Sequence, residues 1–332
     1  MRLRARLPVL WLGTTRVRIG TDPRWSVALH DLSPSAARGL VEVPQGADER
    51  AIRAALRRHD VPAKEADAVV GHLRAAHLLV DAPTPESPDV AAWSLMDAGG
   101  DAAAVRARSS ARVRVCDLGR LGAGLAMSLG AAGIGHLELD DAQPVARTDP
   151  GWGGLTVRDV GTPRAAAVAR AVHDAFPGIR TPPPGSGRPD LVVLIEHWVA
   201  DPVRSRPLLA GGVPHLSVVL REASVLVGPL VVPGGSPCLR CADLHRAELD
   251  PDWPRMAAQL AVARSRCSEE ATLAAVAGAW AVVQVLAHVD GRPSAAGSVL
   301  ELRLPDLTPR EWSFAAHPEC GCSSPPGGPA TG

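Results

Sequence analysis

Short β-type runs at Val9–Gly13, 15–20 and 26–32 are followed by three stretches of helical periodicity at 33–43, 47–60 and 62–80. In the third stretch Ala66, Val69, Val70, Leu73, Ala76 and Leu79 recur every three to four residues, which predicts an amphipathic helix with one buried face. Helix starts are marked chemically: Ser33 precedes Pro34, and Asp48 with Glu49 puts negative charge in a first turn. From 82 to 111 the pattern lapses into Pro83, Pro85, Pro88 and a Gly/Ala/Ser run, which reads as a linker with one short helix near 90–96.

Beyond it, a β-branched run at 112–117 leads into Leu118, Gly119, Arg120, Leu121, Gly122, Ala123 and Gly124, then an alanine-rich helix, then a strand His136–Asp140 that ends in an acid. Strand, glycine turn, helix, strand and terminal acid form a nucleotide-crevice pattern. The glycines let backbone approach phosphate, the helix N-terminus offers free N–H groups, and the acid bonds ribose hydroxyls. Gly119, Gly122 and Asp140 are therefore the candidate cofactor-binding residues. Near the C-terminus, Leu273, Val276, Trp280, Val283 and Leu286 within 271–289 predict a largely buried helix. The expected organisation is a small α+β domain at 1–85, a linker at 86–111 and an α/β domain at 112–332.

Composition narrows the functions. The 332 residues are 46% hydrophobic and carry a formal net charge of zero, so no global positive field exists to hold nucleic acid or an anionic membrane. A sheet followed by three helices is a winged-helix pattern, often used on DNA. Its third helix, however, balances Lys64 and Arg74 against Glu65 and Asp67, unlike a recognition helix. No apolar run reaches the roughly 20 residues that span a bilayer, and the N-terminal MRLRARLPVLWLG is too short in its apolar part for a secretory signal. A cytoplasmic protein with neither nucleic acid nor membrane as partner is expected. There is no tyrosine and a single lysine, Lys64, a sign of coding bias that weakens any argument from an Arg in place of a Lys.

Six cysteines stand at 116, 238, 241, 267, 320 and 322. Cys238-Leu-Arg-Cys241 and Cys320-Gly-Cys322 together offer four thiolates to one tetrahedral Zn²⁺, with every ligand position filled and so a structural role. Cys267 precedes Ser268, Glu269 and Glu270 at a helix start. The helix terminus favours a reactive thiolate and the glutamates oppose it, so a reactive and an inert thiol both stand as readings. Cys116 reads as core.

The segment VRVCDLGRLGAGLAMSLGAAGIGHLELDDAQPV resembles the first strand-helix-strand unit of the ThiF/MoeB and ubiquitin-like modifier activating adenylyltransferases. Val160 to Arg164 resembles the segment that carries that family's catalytic lysine, 190–195 its central strand, and the cysteine pairs its zinc site. The resemblance covers 113–322 and implies a Rossmann-like fold with structural zinc, an ATP/Mg²⁺ site and a homodimer. It also locates departures. Asp117 replaces the first glycine of the family's turn and Arg120 replaces the second glycine of a Gly-Gly pair. A carboxylate there repels a triphosphate unless Arg120 offsets it. The family's Asn and Arg are missing from AQPVARTDPG at 142–151, where Arg147 is a loose substitute. Arg164 stands in the lysine's place, and Glu196 with His197 where the Mg²⁺-associated Asp belongs. If the site is active, Arg120, Arg164 and Glu196 are its catalytic residues.

The three-strand, three-helix order of 1–85 resembles the RiPP recognition element, in which a leader peptide adds a strand to the sheet beside the third helix. That resemblance implies peptide contacts at Trp25, Val27 and Leu29 on the strand and Val70 and Leu73 on the helix. A plain core strand is the alternative. The reading that joins both halves is a leader-peptide-binding accessory protein of azole/azoline-type (TOMM) ribosomal-peptide modification with a degenerate adenylation site. The resemblance implies a YcaO-type cyclodehydratase in trans as its partner. Two alternatives remain: an active ATP-dependent adenylyltransferase of a peptide or carrier-protein C-terminus, and a nucleotide-sensing winged-helix regulator.

Overall fold

Alternation along Arg16–Ile19 puts Val17 and Ile19 inside and Arg16 and Arg18 outside, as a half-buried strand requires. In the computed structural model, which describes residues 1–4, 7–81, 87–96, 100–263, 265–292 and 296–322, this strand is the centre of a three-stranded antiparallel sheet. The chain divides into two units, Met1–Arg106 and Ala107–Gly332.

The first unit runs β1 (Arg2–Leu3), β2 (Val9–Gly13), β3 (Arg16–Ile19), β4 (Val27–Leu29), α1 (Pro34–Val41), α2 (Glu49–Arg58), α3 (Ala63–Ala75), β5 (Leu79–Val80), α4 (Pro88–Trp93) and α5 (Gly100–Ala107). The sheet order is β2-β3-β4, so among the described residues β2 and β4 each have one side unpaired. The Ser33 hydroxyl and the Asp48 carboxylate cap α1 and α2 as the sequence implied, accepting the N–H groups of Ala36 and Ala51. The third helix is shorter than its periodicity predicted. It ends at Ala75, His77 takes φ 55°, and Leu79–Val80 pairs with Arg2–Leu3 as a two-stranded sheet. Leu79 is thus a strand residue in the same core, which a 3.6-residue period cannot distinguish. The stretch read as linker holds α4 and α5. Ser87 caps α4 by accepting the Val90 N–H, and Val90, Val105 and Trp93 pack together.

The second unit runs β6 (Arg112–Cys116), α6 (Arg120–Ala131), β7 (His136–Asp140), α7 (Arg164–Ala175), β8 (Leu191–His197), α8 (Pro202–Ala210), β9 (His215–Leu220), β10 (Ser224–Val231), α9 (Leu239–Leu249), α10 (Trp253–Ala261), α11 (Ala271–Val289), β11 (Ser298–Arg303) and β12 (Arg310–Ser313). The sheet order is β12-β11-β10-β9-β8-β6-β7. Strands β9, β8, β6 and β7 are parallel, and the other pairings are antiparallel. Leu191 to Ile195 are all buried, as expected of a parallel strand covered on both faces. On one face α6, α7 and α11 share the main core; on the other, Leu208 of α8 packs on Cys116, Val192 and Leu194. The strand order reverses between β6 and β8, and their C-terminal ends open the crevice where such sheets take ligands.

Helix α11 is, by length and composition, apolar enough to cross a membrane, and it is the largely buried helix that its periodicity predicts. It buries Leu273, Ala274, Ala277, Gly278, Ala281, Val282, Val285 and Ala287 in the main core of this unit, which accounts for its apolarity. Its end is tied to the start of the unit. Arg108 forks onto Asp290 with Nε–Oδ1 at 2.8 Å and Nη2–Oδ2 at 2.6 Å, the two side chains being 0% and 1% exposed.

Candidate functional site

Past Cys116 the chain turns through Asp117 at φ 77°, a left-handed conformation that a non-glycine residue adopts at a cost. Gly122 completes the turn, because a Cβ there would lie 2.0 Å from the Asp117 carbonyl oxygen. The turn delivers the backbone N–H groups at the start of α6 to the crevice, where a phosphate would take them. Three of them are occupied by the chain's own carboxylates. Leu118 N–H donates to Asp141 Oδ2 (2.9 Å), Gly119 N–H to Asp117 Oδ1 (3.0 Å) and Leu121 N–H to Glu269 Oε2 (2.7 Å). The Glu269 carboxylate rests on the face of Gly119, where a Cβ would stand 2.2 Å from its Oε1. Gly119 therefore makes room for an anion, and the anion present is a side chain from just before α11.

The cations of the site are three arginines. Arg266 grips Asp117 through Nη1–Oδ2 at 2.6 Å and Nη2–Oδ1 at 2.9 Å. Burial pushes the Asp117 carboxyl up, but His197 and the Arg266 fork outweigh it and hold the group well below the usual carboxylate range. The expectation that Arg120 offsets this charge is corrected. Arg120 donates instead to the carbonyls of Glu269, Thr148 and Pro150, because its side chain runs beneath the loop after β7. Arg164 is 4% exposed and bonds Asp149 Oδ2 (2.7 Å) and Asp141 Oδ2 (3.2 Å), so it lies in the crevice but committed to carboxylates. Arg120, Asp149, Arg164, Arg266, Cys267 and Glu269 line a cavity of about 490 Å³. Asp140 ends β7 with its side chain exposed and accepts from the Cys116 thiol, with Sγ–Oδ2 at 3.7 Å.

Strand alternation separates Glu196 from this group. Ile195 contacts the α6 side, where its Cδ1 lies 3.1 Å from a Cβ placed on Gly122, and Glu196 points to the opposite face. There its Oε1 accepts the Asp201 N–H at 3.1 Å, its Oε2 has no partner among the described residues, and burial pushes its carboxyl up to about 7. The neighbour facing Asp117 is His197, with Nε2 at 3.6 Å from Oδ2. Ligand atoms of Asp117, His197 and Glu269 lie within 4.8 Å of one another. Within this group His197 Nδ1 accepts the Cys267 N–H at 3.1 Å, so Nε2 is the ring atom that faces Asp117. The Cys267 thiol is 6% exposed and donates to the Leu220 carbonyl at 3.1 Å, and burial pushes it up, which is the environment of an inert thiol.

The four-cysteine cluster assembles as its spacing implied. Cys238 caps α9, Cys241 sits in its first turn, and Gly321 at φ 71° turns Cys320 and Cys322 back onto them. The Sγ–Sγ distances are 3.9 Å for Cys238–Cys241, 3.4 Å for Cys238–Cys320 and 3.3 Å for Cys241–Cys322. Thiolates about 2.3 Å from a tetrahedral Zn²⁺ stand about 3.8 Å apart, so the set fits a single ion. His245, Glu248 and His317 gather nearby as a hydrogen-bonded clamp. His317 Nδ1 accepts the Glu319 N–H while Nε2 bonds Glu248, so both nitrogens of that ring are used.

In the first unit, β4 is an outer strand of its sheet; Trp25 and Val27 are half-buried and Leu29 is buried. Val70 and Leu73 are each 1% exposed inside the core of this unit. Beside Trp25, at the sheet end, Leu7, Pro8, Trp93, Leu95 and Met96 help line a cavity of about 440 Å³. Arg4 fixes its far wall by donating to the Ser94 and Leu95 carbonyls at 3.0 and 3.3 Å.

No protein-family description matches this chain, and no curated protein does. Among solved structures, MccB of E. coli with MccA-N7isoASN superposes with a TM-score of 0.66 at 14% identity, over 97% of this chain and 99% of MccB. MccB with ATP gives 0.65 at 15% identity over the same shares, 97% and 99%. PaaA gives 0.68 at 16%, over 94% of this chain and 99% of PaaA. At such identities the likeness establishes the fold, and the seven-stranded mixed sheet fits the Rossmann-like ThiF-type fold read from the sequence.

Proposed function

We propose that this chain is a peptide-binding protein of ribosomal-peptide modification whose adenylation site is degenerate and closed to ATP in the resting state. The observation that carries the second half is the occupation of the α6 N-terminus. The N–H groups of Leu118, Gly119 and Leu121 all bond internal carboxylates, and Arg164 is committed to Asp149 and Asp141. A triphosphate would have to displace Glu269 and meet Asp117 at close range, and like charges about 4 Å apart in a partly dry site repel by several kcal/mol. The first half is supported by the unpaired edge of β4, by the cavity beside Trp25, and by the occurrence of the same fold in the microcin C7 biosynthetic enzyme MccB in complex with N-formylated MccA. The peptide adds a strand along Val27–Leu29 with a side chain in that cavity.

The remaining elements of the reading follow the sequence. The four cysteines hold a structural Zn²⁺ that fastens the C-terminal segment to α9, the chain forms a homodimer, and a YcaO-type enzyme in trans supplies the ATP chemistry. An active adenylyltransferase is the second reading, favoured by a roomy arginine-lined crevice and by MccB having been solved with ATP. Two assays separate the readings. Fluorescence polarisation with precursor peptides encoded beside this chain's gene should give binding that Trp25→Ala weakens at least tenfold, and pyrophosphate exchange with those peptides should be absent. Exchange above background would transfer the function to the second reading, and loss of neither binding nor affinity in Trp25→Ala would remove the β4 edge as the peptide site.

A further inference from the structure

We infer that Glu269 is an intramolecular stand-in for a phosphate group, and that its side chain is a displaceable plug which competes with phosphate-bearing ligands for the glycine turn. This deepens the closed-site half of the proposed function and rests on it, and it stands without the peptide half. Four independent contacts place the segment there. The Glu269 carboxylate accepts the Leu121 N–H at 2.7 Å, where the helix dipole favours an anion. The same carboxylate fills the space above Gly119 that any Cβ would block at 2.2 Å. Two residues' breadth away, Arg266 clamps Asp117 at 2.6 and 2.9 Å, and Arg120 Nη1 holds the Glu269 carbonyl at 2.9 Å. The segment thereby supplies both the anion that the turn attracts and the cation that neutralises Asp117.

The segment is anchored at Cys267, buried and bonded to His197 and Leu220, and open on either side of it: Arg266 is 39% exposed, and Glu269 borders the cavity of about 490 Å³ that a ligand would enter. Directly after it, Glu270 caps α11 by accepting the Leu273 N–H at 2.8 Å, so α11 has its own start and does not need Glu269 to begin. The Glu269 side chain can therefore leave the crevice while α11 and the buried Cys267 stay in place. Burial pushes the Glu269 carboxyl up, the direction that eases its release as the crevice is acidified.

The test uses the full, zinc-replete chain titrated by calorimetry with Mg-ATP, inorganic pyrophosphate and adenosine. Glu269→Ala empties the phosphate position, and Mg-ATP and pyrophosphate should then bind at least tenfold more tightly than to the unaltered chain, with adenosine unchanged. A tenfold gain corresponds to a plug in place about 90% of the time or more. Glu269→Gln, which keeps the size of the side chain and removes its charge, should shift the same two ligands in the same direction and serves if Glu269→Ala does not fold. Unchanged affinity for Mg-ATP and pyrophosphate in a folded variant would overturn the inference. So would an equal gain for adenosine, which would mean general loosening rather than a vacated phosphate position. Neither outcome bears on peptide binding by the first unit, whose own assay fails or succeeds separately.

Discussion

Arg266 and Asp117, 149 positions apart, are joined by two hydrogen bonds of 2.6 and 2.9 Å across the mouth of the crevice. This contact explains how a carboxylate is tolerated in a glycine turn that in nucleotide-binding folds faces phosphate. The turn has kept its shape and changed the sign of what it needs: an anionic ligand is already supplied from within, and the extra acid is neutralised from within.

Removing the cation should therefore cost stability. Arg266→Ala leaves Asp117 with the Gly119 N–H, His197 at 3.6 Å and Arg164 at 3.8 Å, and a loss of about 1–3 kcal/mol is expected in urea melts at pH 7. Asp117 has a depressed folded pKa, so its contribution is present above the ordinary carboxylate range and disappears as the pH falls through the depressed value. The variant should show a shallower decline of stability between pH 5 and pH 2 than the unaltered chain.

Glu196 predicts the opposite slope. Its carboxyl is raised from 4.5 to about 7 by burial, so the unfolded chain ionises first and stability falls as the pH rises from about 4.5 to about 7. The full span is worth up to roughly 3 kcal/mol. Glu196→Gln keeps the acceptor for the Asp201 N–H and has no charge to bury, so it should melt higher than the unaltered chain at pH 8 and about equally at pH 4.5. Equal melting temperatures at pH 8 would mean that Glu196 is ionised without penalty.

The zinc reading is tested by stoichiometry and by release. Elemental analysis of purified protein should find one zinc per chain, and Cys320→Ser or Cys322→Ser should lower it and expose the segment around His317 to proteolysis. The His317–Glu248 contact at 3.0 Å should not hold that segment alone, since it is partly exposed. Full zinc content in both variants would contradict a four-thiolate site.

Arg108 and Asp290 form a fully buried fork, and Arg292 holds the same carboxylate at 2.7 Å, so Asp290 keeps one cation when Arg108 is removed. Arg108→Ala should cost about 1–3 kcal/mol in thermal or urea unfolding, the value of hydrogen bonds to a charged group.

The sequence made legible those features that repeat locally or depend on a short spacing. The β6–α6–β7 unit shows itself by a β-branched run, close glycines and a terminal acid, and α11 by its periodicity. The cysteine pairs are readable because two and one intervening residues set their geometry. What stayed hidden was contact between distant segments. Arg266 and Glu269 carry no local mark of their role, and Gly119, read as room for phosphate, is equally the signature of room for a side-chain carboxylate. Likewise Glu196 and His197 were both named at the end of β8, although alternation along the strand permits only one of the two, His197, to face the glycine turn. Pairing of β5 with β1 escaped because Leu79 keeps the helical phase of α3.

Titration of Mg-ATP into the unaltered, zinc-replete chain, followed by calorimetry and pyrophosphate exchange, tests the central claim most directly. The expected result is no measurable binding up to millimolar ATP and no exchange, because Glu269 and the Arg266–Asp117 fork hold the phosphate position. Micromolar binding with exchange would contradict it and establish a working adenylation site.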